Sequence, residues 1–191
     1  MEDLLEVTFN IKPLGGGVSS NELFLFNIPR EEKSASWIKI DTEGPGPEGR
    51  YGHSLSYTSP YIVLFGGYCK KEPSNDTWVL SIEEMPFVWQ RLEWKCEIPS
   101  PRAYHTATVC EAGKASGMII LFGGRSEGDL TLGDTWVLKK HSAENWEWIK
   151  APYNSKVIPK ARYQVRFLLI IIAHVDICGD IKYYRRRKTN W

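Results

Sequence analysis

A chain of 191 residues with 42% hydrophobic and 13% aromatic side chains can pack a core, and its 25% charged content does not fit a disordered, self-repelling chain. The net charge of +1 is uneven: Lys182, Arg185, Arg186, Arg187 and Lys188 crowd the last ten residues and leave −4 on the rest, which excludes a basic nucleic-acid-binding body. No apolar run approaches the roughly eighteen residues of a membrane-crossing helix; the longest, 167–173, is strand-length.

The chain opens with a weak unit, residues 1–49. Gly15-Gly16-Gly17 leads to Asn21-Glu22-Leu23-Phe24-Leu25-Phe26, and Trp37-Ile38-Lys39-Ile40 closes it. Residues 50–101 spell a fuller version. Arg50-Tyr51-Gly52-His53 comes first, then an apolar run ending in Gly66-Gly67. A polar loop over 68–75 leads to Asp76-Thr77-Trp78-Val79-Leu80, and Val88-Trp89-Gln90-Arg91-Leu92 follows. Residues 102–160 repeat the phrase, with Arg102-Ala103-Tyr104-His105, Gly123-Gly124, a loop over 125–132, Asp134-Thr135-Trp136-Val137-Leu138 and Glu147-Trp148-Ile149-Lys150. A further copy starts at Ala161-Arg162-Tyr163-Gln164 and dissolves over 165–191.

A period of about 50–60 residues marks one supersecondary unit copied along the chain. Each unit holds four short pieces, rich in β-branched and aromatic residues and bounded by Gly, Pro, Ser or Asp. Four antiparallel strands per unit make a propeller blade, so the expected fold is all-β, about three blades and a fragment. We label the strands of a blade a to d. Gly66, Gly67, Gly123 and Gly124 are structural, where the backbone needs positive φ or close approach. Trp78, Trp136, Trp89 and Trp148 are read as fillers between stacked sheets. A ring usually needs four to eight blades, so an incomplete propeller with open ends is expected to self-associate, to lack a remainder, or to be poorly soluble.

In such a blade the d-to-a and b-to-c connections emerge on one face. Arg50, Arg102, Arg162, Tyr51 and Tyr104 therefore share a face with Lys70 and Arg125. Guanidinium grips carboxylate or phosphate bidentately, so the expected ligand is a protein or peptide of acidic or phosphorylated character. The alternative is that each arginine clamps a carbonyl or carboxylate of a neighbouring blade. His53 and His105 fall at equivalent repeat positions, which points to packing or hydrogen bonding. Cys69, Cys96, Cys110 and Cys178 show no CxxC or ligand-like spacing and read as reduced thiols of a cytosolic or nuclear protein. No metal or cofactor is implied. The segment 165–191 reads as a basic tail for anionic membrane or nuclear import, or as a solvated terminus.

The paired glycine after an apolar run, the strand aromatic and the spaced tryptophan resemble the kelch repeat. Over residues 87–164 the chain is similar to the kelch region of Ser/Thr protein phosphatases with N-terminal kelch-like domains. Phe87-Val88-Trp89-Gln90-Arg91-Leu92, Pro99-Ser100-Pro101-Arg102, Gly123-Gly124-Arg125 and Trp146-Glu147-Trp148 carry that likeness. The resemblance implies a binding scaffold placed before a metallophosphatase domain. That domain's GDxHG, GDxxDRG and GNHE segments, which hold two metals, have no match in the sequence. The expected function is a non-catalytic protein-interaction module; the alternative is the kelch arm of a phosphatase without its enzyme. Copper oxidases also occur among kelch propellers, but four histidines, two of them locked into the repeat, do not supply such a centre.

Overall fold

A computed structural model of the chain describes residues 5–8, 21–27, 36–151 and 159–164. The first blade is an antiparallel sheet of β1 (Leu5–Thr8), β2 (Leu23–Asn27) and β3 (Ser36–Ile40), in that order. The second contains β4 (Thr42–Glu43), β5 (Ser54–Thr58), β6 (Tyr61–Phe65), β9 (Thr77–Ser81) and β10 (Phe87–Arg91). Its order is β4-β10-β9-β6-β5, with β4 parallel to the outer strand β10. A small hairpin, β7 (Tyr68–Cys69) and β8 (Glu72–Pro73), stands on its b-to-c loop. The third blade runs β11 (Thr106–Val109), β12 (Ile119–Arg125), β13 (Thr131–Lys140) and β14 (Trp146–Lys150), all antiparallel. Two single 3-10 turns, at Gly113–Ala115 and Glu127–Asp129, are the only helical pieces among the described residues. Over the described residues the fold is all-β, with propeller blades that do not close into a ring. Gly15-Gly16-Gly17 and 165–191 lie outside the described residues.

Strand register shows that the units are copies. Trp78 pairs across to Leu64 and Trp136 to Leu121, while Phe24 takes the same place opposite Thr8. On the d strands Trp89 pairs with Leu80, Trp148 with Leu138 and Trp37 with Phe26. The arginine tetrapeptides are not themselves strand: β5 begins at Ser54 and β11 at Thr106, so each arginine lies in the connection that leads in. Lys70 and Lys71, at φ +51° and +73°, form the two-residue turn of the β7–β8 hairpin.

β6 is buried along its whole length, which explains a continuous apolar run in place of alternation. Ile62 and Leu64 face the first blade, with Leu23, Leu80 and Trp89. Tyr61, Val63 and Phe65 face the third, against Ile119, Leu121, Trp136, Leu138 and Trp148. The Trp148 ring meets Phe65 edge-on at 5.0 Å, and its indole N–H donates to Thr77 Oγ1 of the second blade at 3.3 Å.

The glycine pairs latch one blade to the next. Gly66 and Gly67 hold φ of +64° and +93°, and Gly67 N–H donates to the Arg102 carbonyl at 2.9 Å. Gly124 N–H donates to the Arg162 carbonyl at the same distance. A Cβ on Gly66 would lie 2.7 Å from the Arg102 carbonyl oxygen, and one on Gly123 2.5 Å from that of Arg162. Gly66→Ala is therefore expected to lower stability by roughly 2 kcal/mol or more, from left-handed strain and a lost interblade bond. Urea unfolding checks this; an unchanged midpoint would show that the latch carries no weight.

Candidate binding face

Arg50 is 3% exposed and Arg102 0%. Arg102 uses all five donors. Nε donates to Ser100 O at 3.0 Å, Nη1 to Gly123 O at 3.1 Å and Asp134 Oδ1 at 2.7 Å, and Nη2 to Ser100 Oγ at 3.0 Å and Asp134 Oδ2 at 2.8 Å. Arg50 repeats the pattern, with Glu48 O at 3.0 Å, Gly66 O at 3.1 Å and both Asp76 oxygens at 2.5 and 3.0 Å. Each carboxylate also accepts the indole N–H of the tryptophan two residues on: Trp78 to Asp76 at 2.9 Å and Trp136 to Asp134 at 2.7 Å. Burial pushes both carboxyls up, but the arginine and indole hydrogen bonds and the arginine charge outweigh it, and both end below the usual aspartate range. Both guanidiniums thus point into their own blade, where each ties lead-in, glycine pair and c strand together. They are not at the rim, and they grip their own blade rather than a neighbour's.

Tyrosines dominate the face instead. The rings of Tyr51, Tyr68 and Tyr104 lie 5.3, 5.9 and 6.3 Å apart by pairs, in one cluster from three connections. Tyr51 and Tyr68 exchange backbone hydrogen bonds at 3.2 and 2.8 Å, and Tyr104 N–H donates to Gly52 O at 2.6 Å. Tyr51 is 42% exposed. Tyr104 stands where the second blade has Gly52, and both are left-handed, at φ +55° and +67°. A tyrosine held there costs on the order of 1–3 kcal/mol, a strain that concentrates at functional positions. Burial, then the neighbouring Tyr51 and Tyr68 rings, push the Tyr104 hydroxyl pKa up.

The cations flank this cluster. Lys70 pairs with Glu48 at 2.8 Å, and Arg125 pairs with Asp129 while lying over the Tyr163 ring at 5.6 Å. Arg162 is exposed at the edge of the third blade, its Nε bonded to Lys160 O at 2.9 Å. Sequence reasoning missed Tyr68, because the equivalent place in the third blade is Arg125: Tyr51 bridges to Tyr68 as Ala103 bridges to Arg125.

The two histidines sit below the face. His105 Nε2 lies 2.8 Å from Ser54 Oγ, and its ring meets Phe65 edge-on at 5.2 Å. Burial, then the charge of Arg50, lowers His53 to a pKa of about 4. Burial, Arg102 and His53 lower His105 to about 3. Among the described residues no group of three metal-ligating side chains converges.

A family profile described as the KLHDC2/KLHL20/DRC7 Kelch-repeats domain matches residues 14–176. The chain belongs to the kelch-repeat family. The kelch blades are also similar to serine/threonine-protein phosphatase BSL2 of Arabidopsis thaliana, 33% identical over 149 residues, covering 78% of this chain and 14% of the relative. An F-box/kelch-repeat protein of the same plant is 32% identical over 167 residues, covering 82% of this chain and 34% of its own length. The kelch chain thus spans a minor part of these relatives. Among solved structures, YjhT has the same fold, with a TM-score of 0.51 at 14% identity, covering 68% of this chain and 38% of that one. Kelch-repeat domains are typically non-catalytic and typically mediate protein interaction.

The buried histidines give the kelch blades an acid limit. Both stay neutral when folded, whereas the unfolded chain takes up protons near pH 6.5. Their contribution is whole above about pH 6.5 and falls away towards pH 4 for His53 and pH 3 for His105. The urea midpoint should be flat between pH 8 and 7 and drop between pH 6 and 4, with a shallower drop in His105→Gln. A midpoint unchanged from pH 7 to 4 would contradict this.

Proposed function

We propose that this chain is a non-catalytic kelch module that captures a protein or peptide on the face carrying the d-to-a and b-to-c connections. The cluster of Tyr51, Tyr68 and Tyr104 carries the reading. Aromatic side chains dominate the energetics of protein interfaces, and tyrosine offers contact area at low entropic cost. Here backbone bonds between connections hold the rings in place, so little ordering remains for binding. A partner segment of acidic or phosphorylated character suits the rim, where Lys70 and Arg125 exchange Glu48 and Asp129 for a ligand's carboxylate or phosphate. Arg50 and Arg102 support the face from beneath. Cys69, Cys96 and Cys110 are free thiols, which supports residence in a reducing compartment, cytosol or nucleus. The BSL2 likeness favours a second reading, in which the chain corresponds to the kelch arm of a Ser/Thr phosphatase.

A synthetic array of acidic, phosphorylated and neutral peptides tests the first reading. Binding should favour the acidic and phosphorylated sets. Tyr104→Gly, which keeps the left-handed backbone and removes only the ring, should weaken it about tenfold, roughly 1.4 kcal/mol. Arg125→Glu should do likewise. No selective binding, or binding unchanged in both folded variants, would defeat the proposal.

A further inference from the structure

One position in the repeat changes its side chain from unit to unit while its backbone keeps the same bond. The residue two before each lead-in arginine gives its carbonyl to that arginine's Nε: Glu48 to Arg50 and Ser100 to Arg102 at 3.0 Å, Lys160 to Arg162 at 2.9 Å. In the second blade this residue is an acid. Glu48 accepts from Lys70 Nζ at 2.8 Å and from Cys69 Sγ at 3.2 Å, so its carboxylate pins the start of the b-to-c loop to the lead-in. Hydrogen bonds from Lys70 and Cys69, then the Lys70 and Arg50 charges, hold that carboxyl below its usual range.

In the third blade the same place holds the hydroxyl of Ser100, and donors suited to an acid converge on it. Arg102 Nη2 donates to Ser100 Oγ at 3.0 Å. The bridge of Ala103 to Arg125 answers that of Tyr51 to Tyr68, so Ser126 stands where Cys69 does. Ser126 Oγ donates to the carbonyl of Pro101, the residue after Ser100, at 2.7 Å. Glu127 follows where the second blade has Lys70, so the lysine contact is not repeated. Ser100 itself is exposed, lies outside the strands and precedes Pro101. A residue before proline is held extended, the form in which a chain lies across the cleft of a protein kinase.

We propose that Ser100 is a phosphorylation site whose phosphate does in the third blade what the Glu48 carboxylate does in the second. A proline-directed protein kinase supplies ATP. The Ser100 hydroxyl oxygen attacks the γ-phosphorus, and the new O–P bond forms as the bond from that phosphorus to the β–γ bridging oxygen breaks. ADP leaves with the electron pair, and the hydroxyl proton passes to a carboxylate of the kinase and then to water. The free phosphate oxygens accept from Arg102 Nη2, which keeps Asp134, and from the Ser126 hydroxyl, which turns from the Pro101 carbonyl. Both bonds are charge-assisted, so they hold the b-to-c loop of this blade to its lead-in. The pin is permanent in the second blade and switchable in the third. The loop carries Arg125, so on the peptide-binding reading the phosphate also tunes that face; the pin itself does not depend on that reading.

The folded full chain, incubated with a proline-directed kinase of the mitogen-activated class and magnesium ATP, tests this. Peptide mass spectrometry should find phosphate on Ser100, and none at that position in Ser100→Ala. Ser59, also exposed and followed by a proline, is the internal comparison. The Ser126 and Leu130 amides close the loop by bonds to the Leu130 and Glu127 carbonyls. Their hydrogen exchange should slow at least about tenfold on phosphorylation. Ser126→Ala should still take the phosphate but lose most of that slowing, and Ser126→Cys, which restores a donor, should keep more of it. The wild-type comparison decides alone if a variant fails to fold. Phosphate on Ser59 but not on Ser100, no phosphate at all, exchange unchanged by the phosphate, or equal slowing in Ser126→Ala would each overturn the proposal.

Discussion

Each complete blade is organised around one buried ion pair. A guanidinium taken out of water is costly unless its charge and all its protons are matched, and a carboxylate alone cannot do that. In the third blade the carboxylate of Asp134 supplies two acceptors, the carbonyls of Gly123 and Ser100 two more, and the Ser100 hydroxyl the fifth. Those acceptors come from the lead-in, the glycine pair and the start of the c strand. Satisfying one side chain therefore fixes three separate stretches of backbone relative to each other. The indole N–H of Trp136 on the same carboxylate extends the constraint into the interblade core.

This constraint also determines what the face presents. With the arginines turned inward, the rim is left to the side chains beside them, Tyr51 and Tyr104, and to Tyr68 on the facing loop. The glycine pair must stay glycine because the next lead-in passes at 2.9 Å from its second amide. The same bond makes the Arg102 lead-in part of two blades, and that is why the residues from Arg102 to His105 are mostly buried although they form a connection.

The blades were legible because their marks are distinctive residue types at fixed offsets: Gly66-Gly67 and Gly123-Gly124, Trp78 and Trp136, Trp89 and Trp148. Phe24 could be placed because an aromatic fills the same room between sheets. The direction of the arginines was not legible, since a connection has no periodicity to say which way a side chain points. A signal was present all the same, for Arg50 with Asp76 and Arg102 with Asp134 recur as matched opposite charges. The β7–β8 hairpin was hidden because Lys70-Lys71 takes positive φ without the Asn or Gly that usually announces it. β4 was hidden by its length of two residues. Tyr68 escaped because its counterpart is Arg125, so a feature built from unlike residues left no repeated mark.

The central claim is that the lead-in arginine and the c-strand aspartate act as one unit. A double-mutant cycle on Arg102→Met and Asp134→Leu measures it most directly. Either single change strands a buried charge or its partners and is expected to cost about 3–5 kcal/mol in urea unfolding. The double variant is expected to cost clearly less than the sum, since neither charge remains to be buried alone. Additive losses would contradict the account.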